Sequence, residues 1–407
     1  MRGIVATTSL PRVSNRSAVL AALLSGSEMD RQQLIVTTGL SRATVFRIVD
    51  DLMENDLVLE RHRILREGPG RQSTAVGFNN RSALVCGVDL GGTNCRIVVS
   101  DALGRPLIKT RDATPRELPG RELAEWVAAR ITGLVRDHGE DLPLRAVTIG
   151  LPGAVAGDGK TVVGSRNLGQ IQGTAFIEQV TRLLEVTTII ANDSNLALVG
   201  ELQYSSLPDA EPTVLLSMGT GLGCAIWLNG RILVGEAGLL GEFGRLRLPG
   251  GMHRLRDLLS GADLVAYAKR KGVTVPSAQA LFADPERHAA LLAEVHEALT
   301  HLVSIAALAY EPKTVVLAGG FSESFDRAWL RRISDEVATT VGVHSVVKKS
   351  GLGDSAGLLG AMASSLSTLY SSLGVSSAHL TSIEVDRELI IDQLESCRMD
   401  EPKGKKG

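Results

Sequence analysis

From Ser82 onward, short runs of β-branched and other apolar residues alternate with glycine-rich breaks: ALVCGVDLGG, CRIVVSD, RAVTIGLPG, VTTIIAND, TVLLSMGTG and KTVVLAGG. Such runs, separated by stretches of helical period, predict buried strands with crossover helices, hence an α/β domain. RELAEWVAARITGLVRDHG, with Leu123, Trp126, Val127, Ile131, Leu134 and Val135 at helical spacing, reads as one crossover. Upstream, three helical segments fit residues 15–55. The turn Thr38-Gly39-Leu40 joins the last two, and Ser41 is placed to cap the third. In SRATVFRIVDDLMEND the apolar Val45, Val49, Leu52 and Met53 form one buried stripe, which leaves Arg42, Thr44 and Arg47 facing outward. LVLERHRIL, EGPGRQ and STAVGF then predict a two-stranded hairpin whose tip is Gly68-Pro69-Gly70-Arg71. The regular pattern fades beyond about Ser376, so an irregular tail ending in a frayed DEPKGKKG is expected.

At 407 residues the chain should form two or three compact units. Its 44% hydrophobic, 22% charged and 3% aromatic residues describe a soluble globular protein with an aliphatic interior. A net charge of −2 excludes a surface that is basic throughout, so any nucleic-acid contact must be local. Residues 1–79 hold ten Arg, no Lys and eight acids, a slight excess. Within them, the helix beginning at Ser41 has the form of a recognition helix. Arg42 and Arg47 can pair with guanine or phosphate, the Ser41 and Thr44 hydroxyls can reach phosphate or base edges, and Arg71 can enter a neighbouring groove from the hairpin tip. The alternative is a dimerisation or lid module. Cys86, Cys95, Cys224 and Cys397 are widely spaced without a CxxC pair, which fits a reducing compartment. No signal peptide and no run of about 18 apolar residues is evident, so a cytoplasmic protein without membrane partners is expected.

Two glycine hairpins carry candidate chemistry. Gly91, Gly92 and Thr93 turn between two strands after Asp89, and Gly219, Thr220, Gly221 and Gly223 repeat the device. Neither is a dinucleotide fingerprint or a P-loop. Glycines there let backbone N–H groups approach a phosphate, and Asp89 can hold Mg²⁺ through water. Gly319-Gly320 ends another strand, where backbone can lie flat on an adenine. Each turn taken singly is equally readable as a plain β-turn. Asp193, at the carboxyl end of TTIIAN, can accept the proton of a sugar hydroxyl attacking a γ-phosphate, or can simply cap the next helix.

DLGGTNCR, ANDSN, SMGTGLG and LAGG, with the helix-turn-helix in front, resemble the ROK (repressor, open reading frame, kinase) family over roughly residues 12–370. The resemblance implies an N-terminal winged helix-turn-helix (1–79) followed by a two-lobed actin-like, hexokinase-like ATPase domain of ribonuclease H-like type. Its first lobe would be 80–194 plus about 354–372 and its second 195–353, with an irregular tail over 373–407. It implies nucleotide contact at Asp89, Gly91, Gly92, Thr93, Gly219, Thr220 and Gly221, and sugar contact at Asn167, Asn192, Asp193 and Glu242, with Asp193 the catalytic base of kinase members. The function implied is a sequence-specific DNA-binding regulator of carbohydrate metabolism, acting as a repressor. It would respond to a sugar and bind an inverted-repeat operator on the nucleoid as a homodimer or higher homo-oligomer. The alternatives are an ATP-dependent hexose kinase carrying a DNA-binding domain and a scaffold of this fold. The regulator needs no cofactor, while the kinase would use ATP and Mg²⁺.

The chain departs from the family where GExGH and a CxCGxxGCxE zinc loop are usual: it reads GEFGRLRLPGGMHRLRDLLSG. Arg245 replaces the His and Arg256 the last Glu, and His253 alone cannot hold structural zinc, so no zinc is expected. Two added guanidinium groups beside a sugar site favour an acidic or phosphorylated sugar, unless both turn outward into surface ion pairs.

Overall fold

The computed structural model describes residues 10–64, 73–208, 211–248, 253–380, 383 and 385–400. The N-terminal unit runs α1 (Leu10–Leu24), β1 (Met29–Asp30), α2 (Arg31–Thr38), α3 (Arg42–Glu54), β2 (Val58–Ile64) and β3 (Ser73–Phe78), the strands ordered β1-β3-β2. Capping fixes these helices. Asp30 Oδ1 accepts from Gln33 N at 2.8 Å while Gln33 Oε1 accepts from Asp30 N, Gly39 ends α2 at φ 67°, and Ser41 Oγ accepts from Thr44 N at 3.2 Å. α1 starts earlier than the sequence suggested. The stripe of α3 buries Val45, Ile48, Val49 and Leu52 against Val19, Leu20 and Leu23, with Met53 at its margin. The hairpin tip with Arg71 lies outside the described residues.

The first lobe is β4 (Leu84–Leu90), β5 (Asn94–Asp101), β6 (Pro106–Ala113), α4 (Gly120–His138), β7 (Leu144–Leu151), a small β8 (Ala154–Val155) and β9 (Val162–Val163) ladder, α5 (Ala175–Leu184) and β10 (Thr187–Asn192). Its main sheet is ordered β10-β7-β4-β5-β6, with β4–β6 an antiparallel meander and β7 and β10 parallel to β4. α4 and α5 cover one face through Leu123, Val127, Ile131, Phe176 and Val180.

After α6 (Asp193–Tyr204), the second lobe holds β11 (Thr213–Met218), β12 (Leu222–Leu228), β13 (Arg231–Ile232), α7 (Leu255–Leu259), α8 (Gly261–Arg270), α9 (Ala280–Ala283), α10 (Ala289–Tyr310), β14 (Thr314–Ala318), α11 (Arg327–Val341) and β15 (Val346–Lys349). This sheet is ordered β13-β12-β11-β14-β15. α10 is long and apolar enough to cross a membrane, but half of it is buried in the core of this lobe.

α6 and α12 (Ala356–Ser372) lie between the sheets, with α6 against Leu215, Ala225 and Val316 and α12 against Val85, Val98 and Ala146. They cross at glycines. A Cβ on Gly200 would lie 2.2 Å from Ala356 O, and one on Gly360 1.8 Å from Leu196 O. Glu201, buried on α6, accepts from Ser350 Oγ, Gly351 N and Leu352 N in the segment leading to α12.

Residues 373–400 are not the irregular tail expected. They form α13 (Ser377–Leu380) and α14 (Arg387–Ser396), and Val375, Ile383, Ile390 and Leu394 join one hydrophobic core with α1 and the end of α12. Ser17 Oγ accepts from Ser376 N at 2.8 Å, and Arg16 Nη1 donates to Leu373 O. Residues 398–400 then pair with the outer edge of β6: Lys109 N donates to Arg398 O at 3.1 Å and Asp400 N to Lys109 O at 3.0 Å. The pattern concealed this because Ile390 and Leu394 cover barely one turn, and their burial depends on residues over 300 positions away. Residues 401–407, which make up all but the first residue of DEPKGKKG, lie outside the described residues.

Candidate functional site

β10 ends at Asn192, and the chain turns directly into α6. Asn192, not Asp193, is the helix cap: its Oδ1 accepts from Ser194 N and Asn195 N at 3.0 and 3.1 Å, and its Nδ2 donates to Gly153 O at 2.9 Å. Both ends of the Asn192 amide are thus engaged. Asp193 follows as the first helical residue, and its carboxyl is pushed up to about 7, chiefly by burial and then by the nearby Asp89 and Glu242, against bonds from Ser194 that lower it. Such a value suits a proton acceptor near neutral pH.

The hairpins read from the glycines are present. Gly91–Thr93 joins β4 to β5, with Gly91 N donating to Asn94 O at 2.8 Å and Thr114 Oγ1 to Gly91 O at 2.8 Å. Asp89 faces Arg96 across the strands, and Arg96 Nε donates to it at 3.1 Å, so its charge is matched within the hairpin. Gly219–Gly221 joins β11 to β12, and Asn167 Nδ2 from the first lobe donates to Thr220 Oγ1 at 3.0 Å, tying the two lobes across the cleft. Gly319 (φ 87°) passes close beside Met218, where a Cβ would lie 2.7 Å from backbone, and Gly320 O accepts from Gln279 Nε2.

A cleft cavity of about 400 Å³ brings together Asn167, Asn192, Asp193, Gly219, Thr220, Gly221, Glu242 and Arg245. Asp89, Gly91, Gly92, Thr93, Gly319 and Gly320 stand outside its walls. Arg256 is also in the wall, held by Asp263 with Nε donating at 2.9 Å, and Arg245 Nε donates to Glu242 at 3.2 Å. Both arginines therefore make ion pairs, as the blander reading held, yet both still line the cavity. Two further arginines were missed: Arg166, beside Asn167, and Arg254, in the rebuilt loop. Both are exposed, and among the described residues neither has a carboxylate within ion-pair distance. Adjacency to Asn167 was the available signal for Arg166; Arg254 had none, because its direction is set by the loop. Four guanidinium groups thus oppose two carboxyls in one small cavity. No cluster of three metal-ligating side chains occurs among the described residues, and His253 packs edge-on against Tyr267.

On α3, Arg42 and Arg47 are exposed as expected, with the Arg42 guanidinium 5.0 Å above the Phe46 ring. Ser41 caps the helix as expected, and its hydroxyl and that of Thr44 lie 2.8 Å apart and bond each other there.

The Asp193 shift has a testable sign. A carboxyl raised from 3.8 to about 7 on folding gives stability that is complete below about pH 4 and lost as pH rises through 7. Asp193→Asn should therefore exceed the parent in melting stability above pH 8, by on the order of 2 kcal/mol, and lose that advantage near pH 4. A pH-independent difference in thermal melts would contradict this.

The ROK family profile matches residues 85–367. A xylose repressor of Caldicellulosiruptor bescii is 24% identical over 56% of this chain and 57% of the repressor, so the chain spans less than two thirds of that relative. A solved ROK family transcriptional regulator, a homologue of the E. coli MLC protein, superposes with a TM-score of 0.71 over 91% of this chain and 99% of its own, at 19% identity. A ROK hexokinase from Thermus thermophilus gives a TM-score of 0.61 over 71% of this chain and 99% of its own, at 25% identity.

Proposed function

The chain belongs to the ROK family, and from that premise we propose that it is a DNA-binding transcriptional regulator whose winged helix answers to an anionic sugar held between the lobes. The observation that carries this reading is a continuous path of packing. Asn192 and Asp193 in the cleft open α6, α6 crosses α12 at Gly200 and Gly360, and α12 shares a core with α1 of the winged helix through Leu366, Leu369 and Tyr370. A sugar that binds one lobe arrangement better than another shifts the population of winged-helix positions by its differential affinity. Two copies would then grip or release an inverted repeat.

The four arginines favour a phosphate or carboxylate on the sugar, which a guanidinium can hold by paired hydrogen bonds. Calorimetry with glucose, glucose 6-phosphate and gluconate tests this. An anionic sugar should bind best, and the double variant Arg166→Glu, Arg254→Glu should weaken it roughly 10–100-fold. Tight binding of glucose alone defeats the anionic reading.

The kinase reading keeps one specific support. The backbone of the two hairpins, which would hold nucleotide phosphates, and Asp193, which would take the hydroxyl proton, are all present. ATP and Mg²⁺ would supply the transferred phosphoryl group and its charge neutralisation. ADP release that depends on sugar and disappears in Asp193→Ala would establish that activity.

A further inference from the structure

A cavity of about 960 Å³ lies where α1, α6, α12 and the α14 segment meet, and it shares no wall residue with the sugar cleft. Its size falls within the range of small-molecule sites, roughly 300–1,000 Å³. Leu24, Leu202, Trp227, Leu366, Leu389 and Ile390 give it apolar walls. Polar side chains share these walls, and several are already bonded, as Thr368 Oγ1 donates to Ser364 O and the Tyr370 hydroxyl to Ala102 O. Tyr204 contributes to the wall, while its hydroxyl is buried within the protein and has no hydrogen-bond partner among the described residues. Arg105 and Arg387 have no carboxylate within ion-pair distance among the described residues, and Arg387 gives one N–H to Ser205 O. The single acid in the wall, Asp386, accepts from Leu389 N at 3.1 Å as a helix cap.

We propose that this cavity is a second effector site, for a small amphipathic carboxylate whose chain lies on the apolar walls and whose head meets Arg105 and Arg387. Its position at the joint between winged helix and sensor makes the occupant a wedge. Elements that slide when the winged helix moves would be locked in one arrangement, giving a second input coupled to that of the sugar.

Decanoate titrated onto the full-length protein, followed by calorimetry and tryptophan fluorescence, is the test. Saturable one-to-one binding is expected, with neutral decanol about ten-fold weaker and Arg105→Glu, Arg387→Glu weakening decanoate to a similar degree. Ala363→Phe, which fills the cavity from α12, should abolish binding with the circular dichroism spectrum retained. Should that variant misfold, the charge-reversal pair still decides. Absence of saturable decanoate binding, equal binding of decanol, or indifference to the charge reversal each overturns the proposal. Because glucose 6-phosphate binding in the cleft is a separate measurement, failure here leaves the sugar reading to its own result.

Discussion

Gly360→Val should lower the melting temperature by about 10 °C and cost at least about 3 kcal/mol of stability. A Cβ at this position would stand 1.8 Å from Leu196 O, 2.6 Å from Leu196 C and 2.9 Å from Gly200 N. All three are backbone atoms, so no side chain can rotate aside and the helices themselves must part. Gly200 is held in the same way from the opposite side, where a Cβ would stand 2.2 Å from Ala356 O. Separation would disturb both sheets at once, since α6 packs on the second and α12 on the first. Gly133 on α4 is the control: nothing lies within 4 Å of its Cβ position, and Gly133→Ala should be neutral or stabilise by up to about 1 kcal/mol. Thermal melts of the two variants check both expectations. A Gly360→Val protein that melts with the parent would mean that the lobes meet without this crossing.

Arg42→Ala with Arg47→Ala should cut affinity for duplex DNA about 100-fold and make its salt dependence shallower by about two ion equivalents. Both side chains are exposed at the start of α3, while Val45, Ile48, Val49 and Leu52 behind them carry the fold, so the loss should come without unfolding. The contact of Arg42 with the Phe46 ring is lost, a minor one. Fluorescence anisotropy on genomic fragments at several salt concentrations measures both quantities. Unchanged affinity would favour the scaffold reading of this fold over the regulator.

Much of this architecture was legible where local chemistry leaves a mark. Glycine between two β-branched runs announced both hairpins, and period and capping announced α3. Asp193 at a strand end followed from the break between TTIIAN and the helix after it. What stayed hidden depends on partners distant in sequence. Gly200 and Gly360 look like isolated glycines in helical stretches, and only their mutual approach explains them. Arg254 enters the cleft through the course of a loop no motif specifies. Asp193 shows a related limit: the residue type and position were evident, but its raised proton affinity comes from burial and from Asp89 and Glu242, both distant in sequence.

The pairing of residues 398–400 with β6 also bears on self-association. β6 is the outermost strand of its sheet, and Lys109 there is engaged by residues 398–400 of the same chain, with Asp400 held to Arg130 at 3.3 Å. An unpaired edge of that kind offers a template to any passing strand. Cleavage before Arg398 would therefore uncover this edge at Lys109 and produce a protein more prone to aggregate.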